Sequence, residues 1–452
     1  MSSIEDSNTA ELISAARSLF EMSFCTTESS GKSSSSNCAV VFAPGRVNLI
    51  GEHTDYNGGF VMPLALTKKT VVVGRGSISV QNGSSNASVC RIVSSCAPNI
   101  ETFKADDSLA PGDVEWTNYV KGVVAAYMKD VPPGHCLSFD AAIASDVPLG
   151  GGLSSSAALE VSVATLIEEI TGVKVGGVEK ALRCQWSDHN FLNTPCGIMD
   201  QFVSALAQRN ATLLVDCRSN AFEPVPLDDP DMVFVVANSG IRHRNADGAY
   251  AERVRQCDEA VEAIKNRHPS VKQLRDALLE WVKQIEVEVD DKVFRRAIHV
   301  VTENQRTLCC AMALRRKDYV AAGSCMCDSH ASLRDNYEVT IPELDCLVSI
   351  AMKVEGVFGS RMTGGGFGGC TVTLVKRDAA ESLMETLRKE YLQQTGKECD
   401  CFVTQPCDGA GIIVPLRRSK RSHRACKVAA AAVGTMALLA ALALFAKKRV
   451  RE

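Results

Sequence analysis

Apolar and polar residues alternate from Leu137 to Ile143, and an apolar run with helical spacing begins at Ala157. Alternation with a period of two predicts a strand, and the later run predicts a helix. Between them lies PLGGGLSSSA, from Pro148 to Ala157, with three consecutive glycines and three consecutive serines. Glycines let backbone N–H groups approach an anion, and a helix start leaves its first N–H groups free. This stretch therefore predicts a phosphate-binding loop.

Two other interpretations explain this stretch less well. A helix N-cap after a tight turn needs one serine, not three serines behind three glycines. A Walker A loop would end in Gly-Lys followed by Ser or Thr, and that ending is missing. The serine hydroxyls suit phosphate oxygens or a bound metal ion.

A second stretch concentrates polar residues directly after a short apolar strand. It reads APGRVNLIGEHTDYNGG (43–59) and places Arg46, Glu52, His53 and Asp55 within ten positions. Carboxylates accept hydrogen bonds from hydroxyls, and histidine can donate or accept, as a sugar site requires. Taken singly, such residues are more often turn formers, but their concentration favours the sugar site.

A third stretch, TGGGFGGCT (363–371), satisfies G-x-G-x-x-G through Gly364, Gly366 and Gly369. A dinucleotide site would need this pattern to open a helix. Here the alternating run CTVTLV (370–375) follows and predicts a strand. We therefore expect a glycine loop between strands that shapes a pocket without doing chemistry.

The remaining pattern predicts two domains that mix strands and helices. Prolines between two strands place the boundary near residue 225. The predicted strands are 39–43, 71–73, 77–80, 89–93, 211–216, 232–237 and 411–414, and the predicted helices are 116–128, 154–170, 178–191 and 379–395. The predicted segments are a flexible 1–38, domains 39–225 and 226–416, a basic linker 417–427, a candidate anchor 428–446 and a basic tail 447–452.

Composition excludes some classes of function. A net charge of −4 over 452 residues argues against a nucleic-acid binder. The 19 cysteines are scattered without a C-x-x-C pair, which argues against a zinc site and for small core residues in a reducing compartment. The N-terminus lacks the apolar segment of a secretory signal.

All three motifs, in this order, resemble those of galactokinases in the GHMP family of small-molecule kinases. The first motif is particular to galactokinases and close relatives, whereas the other two are shared with the wider GHMP group. The resemblance implies an α+β, two-domain GHMP kinase fold with mixed β-sheets and an active site in the cleft between domains. Further similar stretches are EWTNYVKGV (115–123), PCGIMDQF (195–202), LLVDCRS (213–219), RRAIHVVTE (295–303), SLRDNYEVT (332–340) and PELD (342–345).

The resemblance also implies roles for single residues. Asp200 would be the catalytic base at the anomeric hydroxyl, with Arg46 neutralising charge on the transferring phosphoryl group. From the residues alone, Asp200 could equally favour a helix dipole. The implied sugar-binding residues are Arg46, Glu52, His53, Asp55, Asp200 and Tyr250. The implied nucleotide-binding residues are Trp116, Gly150, Gly152, Ser154, Ser155 and Arg242. Core packing is the alternative for Trp116 and Tyr250.

A magnesium ion is implied at Ser154 and Asp188. Galactokinases usually carry a glutamate at the place of Asp188, and aspartate is one methylene shorter. Either the ion shifts or a water intervenes, since Mg²⁺ usually keeps several waters. A surface or capping aspartate is the alternative.

The implied reaction is transfer of the γ-phosphoryl group of ATP to the C1 hydroxyl of galactose, by a catalytic region expected to be monomeric. One alternative is a kinase for N-acetylgalactosamine or a related sugar, which a panel of sugars would reveal. The other is a non-catalytic galactose sensor, which we would expect to have lost the phosphate-loop serines or the base.

The C-terminal tail predicts a membrane anchor on the cytosolic face of an organelle. Residues 428–446 carry no charge and have basic residues on both sides. As a helix they would span roughly 28 Å, close to the hydrocarbon thickness of a bilayer. The alternative is an alanine-rich helix that packs on the protein or stays disordered, because alanine contributes little to insertion.

Overall fold

The computed structural model describes residues 2–25, 37–80, 88–194, 196–241 and 246–416. Side chains are described from residue 8 onward in the first helix and from residue 248 onward in the sixth. The elements of the first half are α1 (Ser2–Phe24), β1 (Ala39–Asn48), β2 (Phe60–Val61), β3 (Pro63–Val80), β4 (Val89–Ser94), β5 (Ala97–Lys104), α2 (Glu115–Tyr127), β6 (His135–Ser145), α3 (Ser155–Thr171), α4 (Gly177–Phe191), α5 (Met199–Leu206), β7 (Ala211–Asp216) and β8 (Ala221–Pro226).

The second half is richer in helix. Its elements are β9 (Met232–Asn238), α6 (Ala246–Lys265), α7 (Leu279–Lys283), α8 (Asp291–Arg315), α9 (Tyr319–Ser332), a π-helical turn (Leu333–Tyr337), α10 (Pro342–Ala351), β10 (Val357–Thr363), β11 (Cys370–Lys376), α11 (Ala380–Thr395), β12 (Asp400–Thr404) and β13 (Gly411–Val414).

Within the described residues, the strands form three sheets. The largest has the order β13-β1-β3-β6-β4-β5, and the pair β4–β6 is parallel whereas its other pairs are antiparallel. Antiparallel sheets β2-β7-β8 and β10-β11-β9-β12 complete the fold. The expected α+β fold with mixed sheets is thus confirmed. Strand β8 belongs to the three-stranded sheet and β9 to the four-stranded sheet. Strand β13, the last that the structure describes, pairs with β1 in the largest sheet.

Helix α1 differs from the flexible segment that we expected for residues 1–38. Its residues Ala16, Phe20 and Phe24 are buried against Val71 and Val73 of the large sheet. Apolar residues four positions apart lie on one face of a helix. That face covers one side of a sheet whose other side packs against α2 and α3.

Strand β1 is longer than the predicted 39–43 and continues to Asn48. The register with β3 shifts between Pro44 and Arg46, which marks a β-bulge, and pairing then resumes. The backbone N–H of Arg46 donates to the carbonyl of Leu153 at 3.0 Å. The polar stretch and the glycine–serine stretch are therefore joined through their backbones.

Candidate active site

The three sequence motifs line one cavity of about 760 Å³. The first motif contributes residues of β1 and the loop after it, the second precedes α3, and the third joins β10 to β11. The sequence-predicted residues on the cavity wall are Arg46, Glu52, His53, Asp55, Gly150, Gly152, Ser154, Ser155, Asp200 and Tyr250.

Asp200, on the first turn of α5, lies between the first two motifs. Arg46 donates to its carboxylate from Nε at 2.8 Å and from Nη2 at 2.9 Å. Arg46 also donates from Nη1 to the carbonyl of Gly152 at 2.6 Å. Paired, charge-assisted bonds of this kind fix a carboxylate in position and orientation.

Ser154 precedes α3 but does not cap it. Its backbone is left-handed (φ 58°), and its side chain forms no capping hydrogen bond. Instead, its hydroxyl donates to the carboxylate of Asp200. The first N–H groups of α3 therefore keep their capacity to bind an anion at the cavity wall.

Glu52 joins the first motif to the third. The backbone N–H of Gly364 donates to its carboxylate at 2.5 Å, and the side-chain amide of Asn48 donates to its other oxygen. The guanidinium of Arg361 lies 3.6 Å away. Burial raises the pKa of Glu52, while the charges of Arg361 and Arg46 oppose that rise.

Asp55 approaches the segment before α5 because residue 197 is a glycine. A Cβ at Gly197 would lie 1.7 Å from Oδ2 of Asp55. Burial raises the pKa of Asp55 to about 7, and the negative charge of Asp200 adds to the rise. The two carboxyl groups thus interact across the cavity.

His53 and Tyr250 form the aromatic wall. Nδ1 of His53 lies 2.9 Å from the hydroxyl of Tyr56, and its Nε2 lies 3.2 Å from the carbonyl of Gly365. The ring of Tyr250 is centred 5.7 Å from that of His53. Burial is the largest of the causes that lower the pKa of His53 to about 3, so the ring is neutral at pH 7.

One non-glycine residue in each motif has a left-handed backbone: His53, Ser154 and Phe367. Each of the three lies on the cavity wall. Such conformations cost energy and concentrate at functional sites, where surrounding contacts hold them.

Asp188 lies outside the set that lines the cavity. It is buried behind Cys196, whose thiol donates to its Oδ2 at 3.4 Å, and the side-chain amide of Gln201 donates to the same oxygen at 2.5 Å. Burial raises the pKa of Asp188 to about 6. Gln201 also contacts Glu160, a fully buried carboxyl group of α3.

Two further residues, Trp116 and Arg242, were predicted to bind the nucleotide. Trp116 packs partly buried against the core of the large sheet, while Tyr119, one turn further along α2, lines the cavity. Arg242 falls outside the described residues. Sequence reasoning missed Tyr119 as a wall residue, although it lies within the similar stretch EWTNYVKGV.

Family models and similar known proteins agree on how the chain is classified. Family models match for the galactokinase galactose-binding signature at residues 28–76, the GHMP kinase N-terminal domain at 118–208 and the GHMP kinase C-terminal domain at 311–393. Human galactokinase is 43% identical over 417 residues, which cover 91% of this chain and 100% of the human protein. Galactokinase from a Roseiflexus species is 41% identical over 83% of this chain and 93% of its own.

Solved structures agree with this classification. The crystal structure of Lactococcus lactis galactokinase complexed with galactose aligns with a TM-score of 0.80 at 30% identity, covering 88% of this chain and 99% of that one. A mevalonate kinase structure aligns with a TM-score of 0.55 at 17% identity over 81% of this chain and 98% of its own, which shows the shared fold alone.

The two-domain fold and the cavity between its glycine loops define a small-molecule kinase of the GHMP class. Within that class, the galactose-binding signature and the identity to curated galactokinases decide the family. The chain belongs to the galactokinase family.

Proposed function

We propose that the chain transfers the γ-phosphoryl group of ATP to the C1 hydroxyl of α-D-galactose. The products are galactose 1-phosphate and ADP, and the reaction is the first step of galactose metabolism. The single observation that carries this assignment is the position of Asp200, which is hydrogen-bonded to both Arg46 and Ser154 on the wall of one cavity.

In the proposed mechanism, Asp200 accepts the proton of the anomeric hydroxyl as that oxygen attacks phosphorus. Arg46 contacts both Asp200 and the carbonyl of Gly152, so its positive charge lies between the base and the phosphate loop. There it stabilises negative charge that develops on the transferring group. Much of the rate comes from orienting hydroxyl and phosphorus, since phosphoryl transfer relies mainly on positioning and electrostatics.

For the sugar, we propose contacts from Glu52, His53, Asp55 and Tyr250 on the wall that the first motif forms. For ATP, we propose that Gly150, Gly152, Ser154 and Ser155 hold its phosphates at the start of α3. Its adenine would lie toward α2, near Tyr119 and Trp116. Arg242 is still predicted, from the sequence alone, to contact the phosphates of ATP.

We also propose that Mg²⁺ accompanies ATP, with Ser154 and Asp188 as the protein groups that hold it. Oxygen donors, phosphates and waters are the usual ligands of Mg²⁺, and a water would have to bridge to Asp188, which lies behind Cys196 and outside the cavity lining. Beside Asp188, the buried Glu160 keeps Oε1 without a hydrogen-bond partner among the described residues. The ion would neutralise phosphate charge. EDTA should abolish turnover and added Mg²⁺ restore it, whereas full turnover in EDTA would contradict this proposal.

A coupled assay of ADP release with a panel of sugars tests the reaction. We expect galactose to support turnover and N-acetylgalactosamine, with its bulky C2 substituent, to support far less. Equal or greater turnover with N-acetylgalactosamine would contradict the assigned sugar, and no turnover with any sugar would contradict the kinase.

For location, we propose that residues 428–446 anchor the kinase to a membrane. This segment lies outside the described residues, and within those residues no helix is long and apolar enough to cross a bilayer. The support is therefore its uncharged sequence and basic flanks. Fractionation of cells that express the full chain should recover it with membranes even at high salt. A Leu439→Arg control should move it to the soluble fraction, and a soluble unmodified chain would contradict the anchor.

A further inference from the structure

A continuous run of hydrogen bonds lies behind His53 and leads away from the cavity. The hydroxyl of Tyr56, 2.9 Å from Nδ1 of His53, lies 2.8 Å from the hydroxyl of Tyr337. That hydroxyl is in turn 3.2 Å from Sγ of Cys257. The run joins the first motif, the π-helical turn and α6. Because Tyr337 belongs to the stretch SLRDNYEVT, this stretch lies beside the site.

The acceptor at the cavity end sets the direction of the protons in the run. The carbonyl of Gly365 can only accept, so Nε2 of His53 carries the ring proton. In a neutral ring Nδ1 then accepts, so Tyr56 donates to it. The oxygen of Tyr56 accepts from Tyr337, and the oxygen of Tyr337 accepts from the thiol of Cys257.

Packing holds these groups in place. The ring of Tyr337 packs against two imidazoles, with centroids 4.7 Å from His53 and 4.5 Å from His299. Arg253 donates to the carbonyls of Tyr337 and Glu338, each at 2.8 Å. Tyr337 is fully buried at the end of the π-helical turn, a rare geometry that is frequent at functional sites.

We propose that Tyr56, Tyr337 and Cys257 are positioning residues that hold His53 as a single neutral tautomer, with its Nε2–H donating at the sugar end of the cavity. The inference rests on the proposed function, since the sugar is the ligand that this N–H would meet. In the free site the carbonyl of Gly365 accepts at 3.2 Å, a long bond that a sugar hydroxyl oxygen can share or replace. The site would then select a sugar with an accepting oxygen at that position.

Kinetics of four variants test the inference. Tyr56→Phe removes the donor to Nδ1 and should raise the KM for galactose about fivefold to tenfold, the range that one net hydrogen bond supports. Tyr337→Phe should raise it less, and Cys257→Ala least, with Cys257→Ser restoring the original value. The KM for ATP and kcat should change less than about twofold, because the lost bond lies on the sugar side.

Tyr127→Phe is the matched control. Tyr127 is also fully buried and donates its hydroxyl to Glu168, but it lies in the core of the large sheet. It should leave the KM for galactose unchanged. An unchanged KM for galactose in Tyr56→Phe and Tyr337→Phe, or an equal rise in the control, would overturn the inference.

A second readout does not depend on turnover. In the free full chain labelled with ¹⁵N-histidine, the His53 signals, identified by their loss in His53→Gln, should show a protonated Nε2 and an unprotonated Nδ1. In Tyr56→Phe both signals should move toward averaged values. Averaged signals in the unmodified chain would overturn the inference, whereas absent galactose turnover with a single tautomer would contradict the proposed function alone.

Discussion

Asp200 accepts hydrogen bonds from groups on two different motifs, and this arrangement determines what its carboxylate can do. Arg46 contacts both of its oxygens, and Ser154 donates from the phosphate loop. The side chain is still 31% exposed, against 6% for Arg46. A carboxylate that is held firmly and yet open to the cavity can meet a substrate hydroxyl, which a merely structural aspartate would not require.

Replacing Asp200 by asparagine keeps the shape of this side chain and removes its capacity to take a proton. We expect Asp200→Asn to lower kcat by about 100- to 10,000-fold, the contribution of a general base. ATP binding, measured by calorimetry, should stay nearly unchanged. Asp408→Asn, at an exposed ion pair with Arg209, is the control and should keep full activity. Full turnover in Asp200→Asn would overturn the base assignment.

At the scale of elements, helix α9 crosses strand β10 with almost no space between their backbones. A Cβ at Gly323 would lie 2.0 Å from the carbonyl oxygen of Phe358, and one at Gly359 would lie 2.3 Å from the carbonyl oxygen of Gly323. Strand β10 leads directly into the third glycine loop. The close contact therefore sets where that loop begins.

Gly323→Ala should force these two elements apart and destabilise the fold by about 1–3 kcal/mol, the usual cost of overpacking. Gly176→Ala is the control, because no atom of the described residues lies within 4 Å of a Cβ at that position. Urea unfolding followed by fluorescence gives both free energies. Equal stability of the two variants would show that α9 can move away at no cost.

Elements with a strong local pattern could be predicted from the sequence. Strand β11 was expected from the alternation at 370–375, and α3 from the apolar run that begins at Ala157. The full length of β1 was not predicted, because a proline and a glycine interrupt its pattern and only pairing with β3 extends it. The docking of α1 was also missed, since its binding face is a sheet surface that the linear sequence does not reveal.

Across the whole molecule, the site joins residues that are far apart in sequence. The three motifs were predicted to cooperate, and their residues do line one cavity. The contact of Tyr56 with Tyr337, 281 positions away, was not predictable from local pattern. The burial of Asp188 behind Cys196 also depends on how α4 and α5 pack, which no spacing in the sequence states.

Buried histidines should make the folded state sensitive to acid. Burial is the largest of the causes that lower the pKa of His299 to about 4, against an ordinary value of 6.5. Below pH 6.5 His299 becomes protonated in the unfolded chain but stays neutral in the folded chain. The free energy of unfolding therefore falls as the pH drops toward 4. This one group should remove roughly 2 kcal/mol between pH 7 and pH 5.

Asp55 and Asp188 act in the opposite direction, because their pKa values are raised to about 7 and about 6 in the folded state and their stabilising effects are lost as the pH rises through those values. Comparison with His299→Gln isolates the histidine. Lowering the pH from 7 to 5 should change the free energy of unfolding of the unmodified chain by roughly 2 kcal/mol more in the destabilising direction than that of His299→Gln, and urea unfolding at both pH values measures this difference. An identical change in both would contradict the buried neutral state of His299.

The most direct measurement of the central claim is ³¹P NMR of the unmodified chain with ATP, Mg²⁺ and galactose. We predict that ADP forms together with one new phosphate ester whose phosphorus couples to the anomeric proton, and that Asp200→Asn forms neither. A phosphate ester at another carbon, or no ester from a chain that binds ATP, would contradict the account.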